Sequence, residues 1–216
     1  MRLTFLFLFA LCYSFGWAQN SSFTFIFLNS RKDKQELSKE EVDKIMEGHM
    51  ANISRLAKEG KLIVAGPFEG GGGIFILNTT SVDSAAKWLS TDPGIKANRW
   101  NVEILPYQPR IGGACSVGEK YEMTTYHFIR FTAQVTKSTV KNYPAILRQH
   151  DEYIKEKFSK TGNVITEGIF GNDGGILILK GDLQKEIFDA DPGVQEALLQ
   201  VDIKKLWVAK GSFCEK

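Results

Sequence analysis

The chain has 216 residues, 43% of them hydrophobic and 24% charged, enough to bury a substantial core as one large domain or two small ones. Its 27 basic and 25 acidic side chains leave a formal charge of +2, so the balance gives no argument for nucleic acid or a charged surface as partner. No block of like charges and no low-complexity tract occurs, and no segment beyond the N-terminus is apolar for long enough to span a bilayer.

The N-terminus reads as a targeting segment. Arg2 supplies a short positive region, and LTFLFLFALC is apolar but too short to cross a membrane. Gly16 and Ala18 then stand at −3 and −1 of a signal-peptidase site, so residues 1–18 are expected to be a secretory signal. Cys12 follows the bulky Leu11, where a lipoprotein signal needs a small residue, and no membrane anchor is expected. The mature protein is expected to be secreted or periplasmic. Cys115 and Cys214 remain, and two cysteines in an oxidising compartment predict one disulfide, the alternative being two free thiols. NSS, NIS and NTT are glycosylation sequons whose use the sequence leaves open.

In chain order, FTFIFL from Phe23 is rich in β-formers and predicts a strand. Ser38 and Glu41 form a capping box, and Val42, Ile45, Met46, His49, Ile53 and Leu56 follow at helical spacing, with Gly60 as the stop. KLIVAGPF and GGIFILN predict a hairpin whose turn, Gly70–Gly73, needs positive φ. A short helix, SVDSAAKWLS, is expected to stop at Asp92-Pro93-Gly94, and NVEILPY predicts a last strand. Residues 108–122 read as a linker.

The same order then returns. TTYHFIRF predicts a strand, and Tyr143, Ile146, Leu147, His150, Ile154 and Phe158 form a second helical stripe, with Pro144 tolerable only in the first turn. AGPFEGGGGIFIL and EGIFGNDGGILIL align at an offset of 102, His49 and His150 at 101, and the two DPG stretches at 99. Such an ordered series predicts two copies of one β-α-β-β-α-β unit, the ferredoxin-like arrangement. The expected organisation is a signal at 1–18, repeats at 19–107 and 123–212 around the linker, and a tail at 213–216. The fold class is α+β. Each sheet has helices on one side only, so the bare faces are expected to pack together within the chain as an α+β barrel.

GHMANISRLAKEGKLIVAGPF, a Gly-rich hairpin and a short helix ending in DPG resemble the YCII-related domain family. The resemblance covers nearly all of the first copy and, more loosely, the second. It implies a ferredoxin-like fold assembled as a dimeric α+β barrel, and a His–Asp pair in a cleft. Some relatives are dehalogenating or lactone-processing enzymes.

His49 with Asp92, and His150 with Asp191, are therefore the candidate catalytic residues. Each carboxylate would hold its histidine Nδ1–H and leave Nε2 as a general base. A core histidine and a helix-ending Asp-Pro turn give the same pattern without function. The first copy keeps the family pattern better, since the second has Glu167 for Ala65, Ile169 for Pro67, and His127 where the first copy has Phe25. One His and one Asp per copy supply too few metal ligands, and Gly70–Gly73 lack the Lys and Ser/Thr of a phosphate loop. No cofactor is expected, and the expected partner is a small molecule. The function read from this is acid–base chemistry on a small organic molecule, of lyase, isomerase or dehalogenase type; the alternative is a non-catalytic ligand-binding or structural module.

Overall fold

The computed structural model describes residues 23–135, 142–158, 160–171 and 173–215. The signal segment, Cys12 and the Asn20 sequon lie outside them.

The first half starts with β1 (Phe23–Ser30), whose first six residues are all buried. A strand reads as a continuous apolar run when both of its faces are covered. Phe23, Phe25 and Phe27 enter one core cluster, while Ile26 and Leu28 enter another. Helix α1 (Lys39–Lys58) follows; Ser38 Oγ accepts from Glu41 N–H and Glu41 Oε2 accepts from Ser38 N–H, the expected capping box. β2 (Leu62–Pro67) and β3 (Gly73–Leu77) form the hairpin, and Gly70, Gly71 and Gly72 between them stand at φ +86°, +106° and +77°. Then come α2 (Val82–Leu89), α3 (Pro93–Lys96) and β4 (Trp100–Ile111).

The second half repeats this order with β5 (Met123–Ala133), α4 (Tyr143–Phe158), β6 (Val164–Ile169), β7 (Gly174–Leu179), a 3-10 turn over Lys185–Ala190, α5 (Pro192–Gln195) and β8 (Leu199–Ala209).

All eight strands join one sheet in the order β2-β3-β1-β4-β6-β7-β5-β8, with antiparallel pairing throughout. Each half has the ferredoxin-like order. The halves join where Gln108–Ile111 of β4 pair with Glu167–Ile169 of β6. At the other seam Phe68 bridges Leu206, and Glu69 N–H donates to Lys205 O at 3.0 Å. The curled sheet encloses a core drawn from both halves, in which Phe25 meets Phe170 and Phe68 meets Phe128. Arg130 of β5 grips Glu103 of β4 with two bonds, 2.6 and 2.8 Å, and lies over the Phe27 ring. The expected α+β barrel is the observed architecture. Outside it, each half covers its own sheet with its own helices over a separate apolar cluster.

Three details differ from expectation. The DPG stretches open new short helices as well as ending the preceding element: Asp92 and Asp191 are N-caps, each with Pro at the first position. DLQKEIFDA, the counterpart in the second copy of the helix expected over SVDSAAKWLS, forms a 3-10 turn instead; its cap residue Gln184 makes no side-chain bond, whereas Ser81 at the start of α2 accepts from Ser84 N–H. Strand β4 continues past residue 107 because its last residues pair with the other half, a partner that no local pattern announces.

The register also re-pairs His127. His127 faces Leu179 and Lys205 as Thr24 faces Leu77 and Pro106, so its counterpart is Thr24 and that of Phe25 is Phe128. A single-residue slip puts a side chain on the opposite face. His127 Nε2 lies 2.9 Å from Lys205 Nζ; burial first, and then the Lys205 charge, lower its pKa.

Candidate functional site

The two histidines sit at the same point of their helices, on the stripe facing the sheet. His49 is 6% exposed and His150 8%. Each meets the aspartate that its half's DPG stretch supplies. His49 Nδ1 lies 2.8 Å from Asp92 Oδ2, and His150 Nδ1 2.6 Å from Asp191 Oδ2.

The sequence dictates this locally. An Asp at an N-cap turns its side chain back to its own helix's first N–H groups. Asp92 Oδ1 accepts from Gly94 N–H at 2.8 Å and Ile95 N–H at 3.2 Å, and Asp191 Oδ1 accepts from Gly193 N–H at 2.7 Å. The second oxygen is left for the histidine. Gly94 is required because a Cβ there would stand 2.4 Å from the Trp100 ring.

Both aspartates are 0% exposed. Burial pushes the Asp92 carboxyl up, but the His49 bond and charge, the Ile95 N–H and the Asn52 amide outweigh it and hold the group below the usual carboxylate range. With Oδ2 accepting, a proton sits on Nδ1, and in the neutral imidazole Nε2 carries the lone pair. That is the protonation pattern of a general base oriented by a carboxylate.

Asn52 belongs to the first cluster, although the sequence marks it only as a sequon. It lies one turn beyond His49, is buried, and donates to Asp92 Oδ2 at 3.2 Å. Its Oδ1 accepts from Arg55 and Thr91. Asn78, in the other described sequon, is exposed and donates to Gly60 O.

The surroundings of the pairs diverge. The His49 ring lies 5.9 Å from Phe75 and 4.8 Å from Trp100, both large aromatics. The corresponding positions of the second half hold Leu177 and Leu199. There a cavity of about 140 Å³ opens, lined by His150, Phe131, Leu147, Ile154, Leu177 and Leu199 among others. The sequence pattern favoured the first pair; this cavity lies at the second, where leucines replace the two aromatics while the Phe131 ring, 4.7 Å from His150, takes the place of Leu28.

The cavity mouth holds a group that sequence reading did not assemble. Arg110, at the end of β4 in the first half, donates to both oxygens of Asp151 at 2.8 and 3.0 Å. Its Nε donates to Glu167 Oε1 at 2.9 Å, and its Nη2 reaches the same oxygen. Burial lowers the Arg110 pKa, but these two carboxylates more than reverse that. Glu167 in place of Ala65 was the one available signal. Arg110 gave none, since it arrives across the seam. His127 does not line the cavity. Among the described residues, no cluster of three or more His, Cys, Asp or Glu has the placement to hold a metal, and no helix is long and apolar enough to cross a membrane.

Cys115 and Cys214 form a disulfide, with Cα atoms 5.2 Å apart.

An eight-stranded barrel of two ferredoxin-like halves, each with a buried His–Asp pair between helix and sheet, defines an α+β-barrel protein. Residues 23–108 match the family model of the YCII-related domain. No curated protein matches the chain. Two crystal structures of candidate monooxygenases are similar to it at 10% identity. The protein from Lactobacillus acidophilus NCFM aligns with a TM-score of 0.43 over 87% of this chain and 94% of its own. The one from Fusobacterium nucleatum subsp. nucleatum ATCC 25586 aligns with a TM-score of 0.44 over 88% and 92%.

Proposed function

We propose that this protein is an exported, tandem YCII-like enzyme that performs cofactor-independent acid–base chemistry on a small organic molecule in its second half. His150 Nε2 is the general base, and Asp191 fixes the tautomer by holding Nδ1–H. The observation that carries the reading is the coincidence of a buried, carboxylate-oriented imidazole with a cavity of about 140 Å³. A cavity of roughly 150 Å³ accommodates one benzene ring, so the ligand is of single-ring size. The first pair, His49 with Asp92, has the same polar geometry under two aromatic rings, and we assign it a structural role. The disulfide supports an oxidising compartment.

Non-catalytic binding is the second reading, favoured by the mostly aliphatic and aromatic walls. A thermal-shift and NMR screen of single-ring compounds on the mature protein, followed by turnover of each hit by mass spectrometry, separates the two. Turnover that falls 10²-fold or more in His150→Ala, and stays unchanged in His49→Ala, is the expected result. Hits that bind but never turn over establish the binding reading.

A further inference from the structure

The charged group at the cavity mouth bears on the class of ligand. The walls are aliphatic and aromatic, and the imidazole offers an acceptor at Nε2, because Nδ1–H is spent on Asp191. The described charged residues lining the cavity are Arg110, Asp151 and Glu167, one cation and two anions. Asp191, buried behind His150, adds a further negative charge. With a neutral imidazole, the described residues of the site are net negative.

The cation is already committed. Arg110 chelates Asp151 with Nη1 and Nη2, and Nε and Nη2 turn to Glu167. An incoming carboxylate has to displace a chelating partner and join three anions. Glu167 stands the other way round. Its side chain is 13% exposed, and Oε1 takes the Arg110 bonds. No bond to Oε2 is formed among the described residues, which leaves that oxygen for a donor. None of this exists in the first half, where Ala65 replaces Glu167 and Met50 replaces Asp151.

We propose that the second-half cavity selects a compact apolar molecule bearing a cationic amine, held by the Glu167 carboxylate, which Arg110 of the first half fixes in place. This rests on reading that cavity as the working site. The acceptors Glu167 Oε2 and His150 Nε2 both suit an ammonium N–H, and the apolar walls suit the ring or chain that carries it. The fusion of two halves has a consequence here, since the residue that orients the specificity group comes from the other repeat.

Benzylamine, benzyl alcohol and benzoate share one ring and differ in charge. The test is to titrate each into the full mature protein near neutral pH, following the His150 ring nitrogens by NMR, with Leu199→Trp as the variant that fills the cavity. Benzylamine should bind at least tenfold more tightly than benzoate. Glu167→Gln, which preserves size, should cut its affinity at least tenfold and leave benzyl alcohol unaffected; this variant carries the test even where Leu199→Trp does not fold. Benzoate or benzyl alcohol binding more tightly than the amine overturns the charge class and leaves the cavity as a ligand site. No response from any of the three overturns both.

Discussion

Asp92 and Asp191 each serve two elements through separate oxygens, and the division predicts what a one-atom change does. Asp191→Asn keeps an oxygen for Gly193 N–H but presents an NH₂ group to His150 Nδ1. Two donors cannot face each other, so the ring takes the other tautomer and puts its proton on Nε2. The fold should survive while the base is lost. The ¹⁵N shifts of the His150 ring should exchange assignments, and turnover should fall about 10⁴-fold, the scale seen when a buried carboxylate partner becomes an amide. Unchanged ring shifts would refute the tautomer assignment. Asp92 sets a pH dependence. Its carboxyl titrates below its unfolded value, so its stabilisation is complete above about pH 4, the ordinary carboxylate range, and is lost as pH falls through the folded value. The gap in urea midpoint between wild type and Asp92→Asn should therefore be constant near neutrality and shrink below about pH 4. Helical spacing marked His49 and His150, and the DPG turns marked Asp92 and Asp191, while their pairing was implied by the family resemblance. The second jobs of Asn52 and Glu167 were not legible, since a sequon and a lone substitution say nothing of what faces them.

At the scale of elements, the two halves show how one scaffold sets the same pair in two different surroundings. The helix, the capping turn and the hairpin recur, while the residues at the starts of β4 and β8 differ: Trp100 against Leu199. The capping glycine is retained in both, and a Cβ on Gly193 would stand 2.6 Å from Leu199 just as one on Gly94 would strike Trp100. The exchange changes volume without moving backbone. Trp100→Leu should therefore open a cavity beside His49, at a cost of about 1–3 kcal/mol on the scale of large-to-small core changes, reduced because Trp100 is only half-buried. Crystals of this variant soaked with benzene or pressurised with xenon should show density between His49 and Phe75. Collapse of α3 onto the gap, with no bound probe, would show that the first site is closed by backbone packing rather than by one side chain. Element order was readable from β-rich runs, glycine stops and the repeated offsets. Cavity volume was not, because it is a sum over side chains from β4, α4, β5, β6, β7 and β8 that meet only in three dimensions.

The whole molecule is a barrel with two seams, and the sequence foretold the barrel from the need to cover two bare sheet faces while leaving the seams unmarked. Pairing of β4 with β6 and of Phe68 with Leu206 joins positions far apart in the chain, for which no local signal exists. The C-terminal tail adds a further tie. Phe213 is fully buried in the shared core, and the Glu215 carboxylate accepts from Tyr126 Oη, Gly211 N–H and Phe213 N–H. Burial and then Glu215 push the Tyr126 hydroxyl up to about 12. Cys115 N–H donates to Ser212 O at 2.8 Å, so the linker and tail are held together by more than their sulfurs. The disulfide joins residues 99 positions apart, a loop that takes in the whole second half. Its effect should therefore fall chiefly on the unfolded chain. Closing a loop of about 100 residues stabilises by up to about 4.7 kcal/mol in the chain-entropy model, on the order of 10 °C in Tm for a protein of this size. A Cys115→Ser, Cys214→Ser double variant should lose stability on that scale. It should keep the His150 ring shifts and the Tyr126 environment of the wild type, because Phe213 and Glu215 still seat the tail. Loss of those native signals at temperatures well below Tm would show instead that the bridge holds the barrel shut in the folded state.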